Sequence, residues 1–183
     1  MHYGEQLPPP LAERLKDARA VWLIVLNGSR FEIDAIFGNP KAKMLSLTRP
    51  AHNKQRIMFP CPLHTGLDNE ARADIIRRSK LAQRRDVEVK WVDHEIPEPM
   101  IIIDPPTGDH ANSEDGVALI DLSLPHLDTA ARAKFEITQK DQYGIFSDLV
   151  KSFSMTWGRA HEPSYEKEKA VRPAPILKGI VVA

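Results

Sequence analysis

The sequence predicts an α/β fold: a mixed, largely parallel β-sheet flanked by helices. Three observations carry this. Continuous apolar runs such as "AVWLIVL" and "MIII" alternate with stretches of helical period. The alternating "VEVKWVD" follows directly on a helix, the order of a βαβ unit with a parallel strand. Two or three further strands then come in succession, which a mixed sheet covered by helices accommodates.

The elements follow in order. "LAERLKDA" places Leu11, Leu15 and Ala18 at helical spacing. It leads into "AVWLIVLNG", an apolar run ended by a turn pair and hence a central strand. "SRFEIDAIFGNP" sets Phe31, Ile33, Ile36 and Phe37 on a short helix that Gly38 and Pro40 stop, and "AKMLSLTRP" is the expected second strand. Residues 53–67 show no clean period, so they form a loop or hold an extra short strand.

The helix after them is clearer. "LDNEARADIIRRSKLAQRRD" has Asp68 or Asn69 as N-cap, acids in its first turn and bases in its last, and an inner side of Leu67, Ala71, Ile75 and Ala82. Beyond it, "VEVKWVD" turns Val87, Val89 and Trp91 to one face. "PMIIID" and "GVALIDLSLP" form a strand pair around a polar connection, and "AKFEIT" is a short further strand. In "YGIFSDLVKSFSMTWGRA", Phe146, Leu149, Val150, Phe153 and Trp157 make an apolar stripe at spacings of three and four. Trp22, Trp91 and Trp157 are expected in the core, the alternative being interface anchors. The closing "ILKGIVVA" docks as a strand or frays.

A chain of 183 residues suits one domain, read here as 1–183 with a core of about 10–160 and a tail of 161–183. Lys+Arg and Asp+Glu both number 25, so bulk charge indicates neither a polyanion specialist nor disorder. The apolar runs fall far short of the roughly 20 residues that cross a bilayer. No basic start with an apolar core marks a signal peptide, and Cys61 is the single cysteine, which excludes an intrachain disulfide. A soluble protein of the reducing cytoplasm, with no membrane contact, is the expectation. Cys61 lies between two prolines in "FPCPLH" with no helix start beside it to lower its pKa, so a structural or incidental role is expected, the alternative being a nucleophile.

The element order, from "VWLIVLNGSRF" through "VEVKWVD", "PMIIID" and "GVALIDLSLP" to a closing helix ending "FSMTWGRA", resembles the phospholipase D-like fold over most of residues 19–160. The resemblance implies a signature His, any residue, Lys, four residues, Asp, in which the His attacks phosphorus and the Lys stabilises the developing charge. In "PEPMIIID" the matched positions are Pro97, Pro99 and Asp104. Proline offers neither a nucleophile nor a donor. Only Asp104 keeps the pattern, so the resemblance is to a degenerate, sensor or regulatory member without the catalytic His and Lys.

The implied function is a non-catalytic phospholipase D-like binding or regulatory domain, a pseudoenzyme. It works through a homodimer or a partner protein, or by holding a small anionic ligand, with no catalytic residue, cofactor or metal. Asp104, with His52 and Lys54 of "HNK", are the ligand-binding candidates. "HNK" has the His-to-Lys spacing of the signature, but Phe59 stands where its Asp belongs, and the bland reading is an exposed loop. His94, His110 and His126 fit no metal template. Asp104, Asp109, Glu114 and Asp115 read as a solvated turn, the alternative being a divalent-cation site without calcium-loop spacing.

Two alternatives stay open. A nucleic-acid-associated protein would use the basic helix 72–85, with Arg77, Arg78, Lys80, Arg84 and Arg85 as its patch. Neighbouring Asp68, Glu70, Asp74 and Asp86 offset that charge and no aromatic residues interleave it, so a solvated face is the favoured reading. A divergent phosphodiesterase or nuclease would instead recruit "HNK".

Overall fold

Val21–Ile24 is buried along its whole length, as a strand must be when it has neighbours on both sides and a layer on each face. In the computed structural model this strand, β2, is the fifth in a sheet of seven. The others are β1 (His2–Tyr3), β3 (Arg56–Pro60), β4 (Glu88–Val92), β5 (Met100–Ile103), β6 (Val117–Asp121) and β7 (Ala133–Thr138), in the order β1-β7-β6-β5-β2-β3-β4. The structure describes residues 2–3, 14–15, 18–25, 55–63, 66–93, 98–106, 115–121, 133–140 and 143–165. The expected helix at 29–40, the strand "AKMLSLTRP" and the tail "ILKGIVVA" lie outside these residues.

The sheet is mixed, but it is not largely parallel. β3 runs parallel to both β2 and β4, whereas the pairs β2–β5, β5–β6, β6–β7 and β1–β7 are antiparallel. Parallel neighbours need a long crossover, and among the described pairs β3 and β4 have one in the helix α1 (Asn69–Gln83). β5, β6 and β7 pair antiparallel in turn, with Met100↔Ile120 and Val117↔Thr138 among the registered partners. β3 lies in the stretch that shows no period, and is the extra short strand.

A helix covers each face. α1 begins at Asp68, whose carboxylate accepts the Ala71 backbone N–H at 2.7 Å. It ends as Asp86 takes a left-handed conformation (φ 59°), which a short polar side chain tolerates. Ala71, Ile75 and Ala82 turn to the sheet as expected, and so does Ser79, whose hydroxyl accepts the Trp91 indole N–H at 3.0 Å. These residues close a core with Val21, Leu23, Ile57, Phe59, Val89, Trp91 and Ile101, and Leu15 and Ala18 join it.

The opposite face is covered by α2 (Ile145–Arg159), through the apolar stripe read from the sequence. Phe146 and Phe153 are fully buried against Trp22, Ile24, Met58, Met100 and Ile102, while Leu149, Val150 and Trp157 pack at the margin. Phe153 stacks on Trp22 with ring centres 4.9 Å apart and on Trp157 at 6.0 Å. Arg56 lays its guanidinium over Trp22 and Trp157 at 5.0 and 5.2 Å, and its Nε meets the cross-strand partner Glu88 at 3.1 Å. Lys90 donates to the Trp157 carbonyl at 3.0 Å, placing a cation on the last turn of α2. The helix is therefore fixed to the sheet by ring stacking and by two cations rising from β3 and β4.

Gly116 leaves room for this arrangement. A Cβ there would lie 2.5 Å from Phe146 Cζ and 2.7 Å from Gln139 Oε1. The three tryptophans follow the core expectation: Trp22 and Trp91 are buried and Trp157 is half-buried. No described helix is long and apolar enough to cross a membrane.

Candidate functional site

Two ends of the sheet hold the chemistry-bearing side chains. At one end β5 runs out at Asp104, and the chain enters β2 through Arg19 and Ala20. Asp104 adopts φ 50°, and its Oδ1 accepts the backbone N–H of Arg19 at 2.6 Å and of Ala20 at 3.0 Å. Its own N–H donates to the Ala20 carbonyl at 2.8 Å. The register Val21↔Ile103 puts the two segments side by side, so the carboxylate ties the start of one strand to the end of its neighbour.

Pro99, matched to the signature lysine, is buried at the far end of β5. A four-residue strand therefore separates it from Asp104, and at about 3.4 Å per residue the two ends are well over 10 Å apart. Pro97, His52 and Lys54 lie outside the described residues, as do His94, His110, His126, Asp109 and Glu114. Asp115 is exposed.

The basic residues of α1 do not form a uniform cationic surface. Arg77 donates to Asp74 at 2.6 Å. Arg78 lies 3.6 Å from the same carboxylate, is 13% exposed, and holds its guanidinium 5.8 Å from the Phe59 ring centre. Burial lowers the Arg78 pKa, and Asp74 opposes that shift. Lys80 sits 4.7 Å over the Tyr165 ring. Arg84 is exposed and Arg85 is half-buried at the end of the helix. Of the five, Arg77 and Arg78 share one acid, and Arg78 is turned inward.

The other end of the sheet gathers residues that sequence reasoning did not bring together. β3 passes into Cys61 and β4 into Asp93, at the carboxyl ends of two parallel strands, where open α/β sheets hold their ligands. The backbone fixes both: the Cys61 N–H donates to the Val92 carbonyl at 2.9 Å. After α2 the chain returns along the outer edge of β4, where His161 and Trp91 exchange backbone hydrogen bonds of 2.8 and 3.0 Å. Tyr165 closes the same edge, packing its ring against Trp91 at 5.4 Å and donating to Gln83 at 2.7 Å. Residues 161–165, read as the start of a tail, thus cover the edge of β4.

The bridge to Trp91 delivers the His161 imidazole to the strand ends. Its Nε2 lies 3.1 Å from Asp93 Oδ1, and its Nδ1 lies 3.0 Å from the Glu162 carbonyl. Cys61 Sγ, the Asp93 carboxylate and the His161 ring offer one ligand atom each, all within 4.8 Å of one another. Cys61 is buried, and the other two face solvent.

No protein-family model matches the sequence, and no curated protein matches it.

Proposed function

We propose that this chain is a non-catalytic, regulatory binding domain of phospholipase D-like type that acts by associating with a second copy of itself or with a partner protein. The observation that carries this reading is the role of Asp104. The acid at the signature spacing spends one carboxylate oxygen on two backbone N–H groups. Pro99 is buried beyond its reach and brings no donor. An orphaned carboxylate in an active site would repel a phosphodiester. One that satisfies backbone donors across a strand pair has a structural reason to be there without any substrate.

The order of elements supports the resemblance. β2, α1, β4, β5, β6 and the closing α2 with its tryptophan follow the order of the likeness, β3 and β7 are additional to it, and its early helix and the strand "AKMLSLTRP" lie outside the described residues. At the β4 edge the 161–165 segment already bridges Trp91, so a partner there meets side chains rather than a free strand at that position. Tyr143, Ile145 and Met155 offer exposed apolar area, at 76%, 44% and 60% exposure. Multi-angle light scattering of the purified chain is expected to give the mass of two copies at high concentration. A single-copy mass throughout would remove self-association and leave only a foreign partner.

The nucleic-acid reading draws less support. The pairing of Arg77 and Arg78 with Asp74 and the inward position of Arg78 reduce the charge available to phosphates.

A further inference from the structure

We infer that Cys61, Asp93 and His161 form a binding site for a thiophilic divalent cation, with zinc as the fitting ion. This goes beyond the proposed binding function and does not depend on it.

Three features converge. The first is the donor set. A thiolate, an imidazole and a carboxylate suit zinc or cobalt, whereas magnesium and calcium take all-oxygen shells. Three such ligands leave one tetrahedral position open to water or an incoming group.

The second is the orientation of the imidazole. Of the two neutral tautomers, one donates Nδ1–H to the Glu162 carbonyl at 3.0 Å and the other Nε2–H to Asp93 Oδ1, and metal binding through Nε2 takes the first. In that tautomer Nε2 presents a lone pair, and 3.1 Å away stands another acceptor, Asp93 Oδ1. Two lone pairs facing each other require a cation between or beside them, either a proton or a metal. An Nδ1–H held by a backbone carbonyl is also how metal-binding histidines are oriented.

The third is geometry and mounting. Tetrahedral zinc, with bonds of about 2.0–2.3 Å, sets its ligand atoms about 3.3–3.8 Å apart. The Nε2 to Oδ1 distance of 3.1 Å is close to such an edge. The remaining separations, none above 4.8 Å, need to close by at most about 1–1.5 Å. All three residues are mounted on strand ends or bonded to one, through the Cys61 N–H to Val92 and the Trp91–His161 bridge. Such mounting holds ligands more tightly than a free loop. Metal binding would release the Cys61 thiol proton to solvent.

A thiol nucleophile served by His161 is the competing use of these residues. Cys61 is 4% exposed, so its thiol lacks the access that attack on a substrate needs.

The test is a cobalt titration of the chelator-stripped full chain. One equivalent of Co²⁺ should produce a thiolate-to-cobalt charge-transfer band and the strong visible bands of a tetrahedral ion, and Zn²⁺ should bleach both. Cys61→Ser should abolish the charge-transfer band. His161→Gln and Asp93→Asn, at sites exposed enough to leave the core unaltered, should each weaken binding at least about tenfold, since even the outer-shell partners of ligands are worth that much. These two variants carry the test alone if Cys61→Ser does not fold. Absence of the charge-transfer band in the parent chain, or affinity unchanged in both exposed variants, would overturn the site and leave an ordinary His161–Asp93 ion pair.

Discussion

Replacing Phe153 with alanine is expected to destabilise the protein by about 3–5 kcal/mol, the range for deleting a fully buried ring. The ring is 0% exposed, so its whole apolar surface would be lost from the core. It is also the middle member of a stack, with Trp22 on one side at 4.9 Å and Trp157 on the other at 6.0 Å. Arg56 lies over both of those tryptophans, so the gap left by Phe153 cannot close without shifting a partly buried cation paired with Glu88. Domains of this size have total stabilities of about 5–15 kcal/mol, so the variant would lose about a fifth or more. Phe153→Leu, which keeps most of the volume, should cost less than about 1.5 kcal/mol. Urea titrations read both, as a lower midpoint at unchanged slope. A loss below about 1 kcal/mol for Phe153→Ala would mean that α2 does not seal this face.

The second large effect is expected at Asp104. Asp104→Ala removes the acceptor of two backbone N–H groups and places a residue with no local hydrogen-bonding capacity at φ 50°, for a combined loss of about 2–4 kcal/mol. Asp104→Asn keeps an oxygen in the same place and tolerates the left-handed backbone, so it should lose only the charge-assisted part, about 1 kcal/mol. A catalytic or ligand-binding acid would give the opposite pattern. Both variants would then lose function alike, and neither would lose much stability. Chemical denaturation of the pair distinguishes the two roles, and equal stabilities for Asp104→Ala, Asp104→Asn and the parent would contradict the structural one.

Elements that bury one face of a long periodic segment are legible in the sequence. The stripe from Phe146 to Trp157 faces the sheet, Asp68 caps α1, and Val87, Val89 and Trp91 share a buried side. Ser79 was harder to read, because a hydroxyl carries no hydrophobic signal. Its place four residues beyond Ile75 was the available clue, and its purpose appears only with the Trp91 indole beside it. β3 is obscured by its composition. Its ends are Arg56 and Pro60, and its inner residues Ile57, Met58 and Phe59 bury both faces, which erases the alternation of a half-exposed strand. The expectation of a largely parallel sheet extends the α1 crossover to the whole, whereas β5 pairs antiparallel with β2 and β6, and β6 with β7.

Of the candidate site, Asp104 was visible as the end of an apolar strand, but its backbone partners lie 84 and 85 residues away in sequence and emerge only from the β2–β5 register. Cys61, Asp93 and His161 come from three separate segments. The β3–β4 pairing aligns the first two, and the bridge to Trp91 adds the third. No local spacing encodes such a group. A lone cysteine between prolines and a histidine after a helix look incidental until the sheet is assembled.

The most direct test of the central claim, that the site matched to the signature is silent, is a phosphodiesterase assay of the full chain on bis-nitrophenyl phosphate and on DNA, with and without divalent metal. The account predicts no turnover above the uncatalysed rate in any condition. Turnover that His52→Ala abolishes would contradict it and establish a working nucleophile.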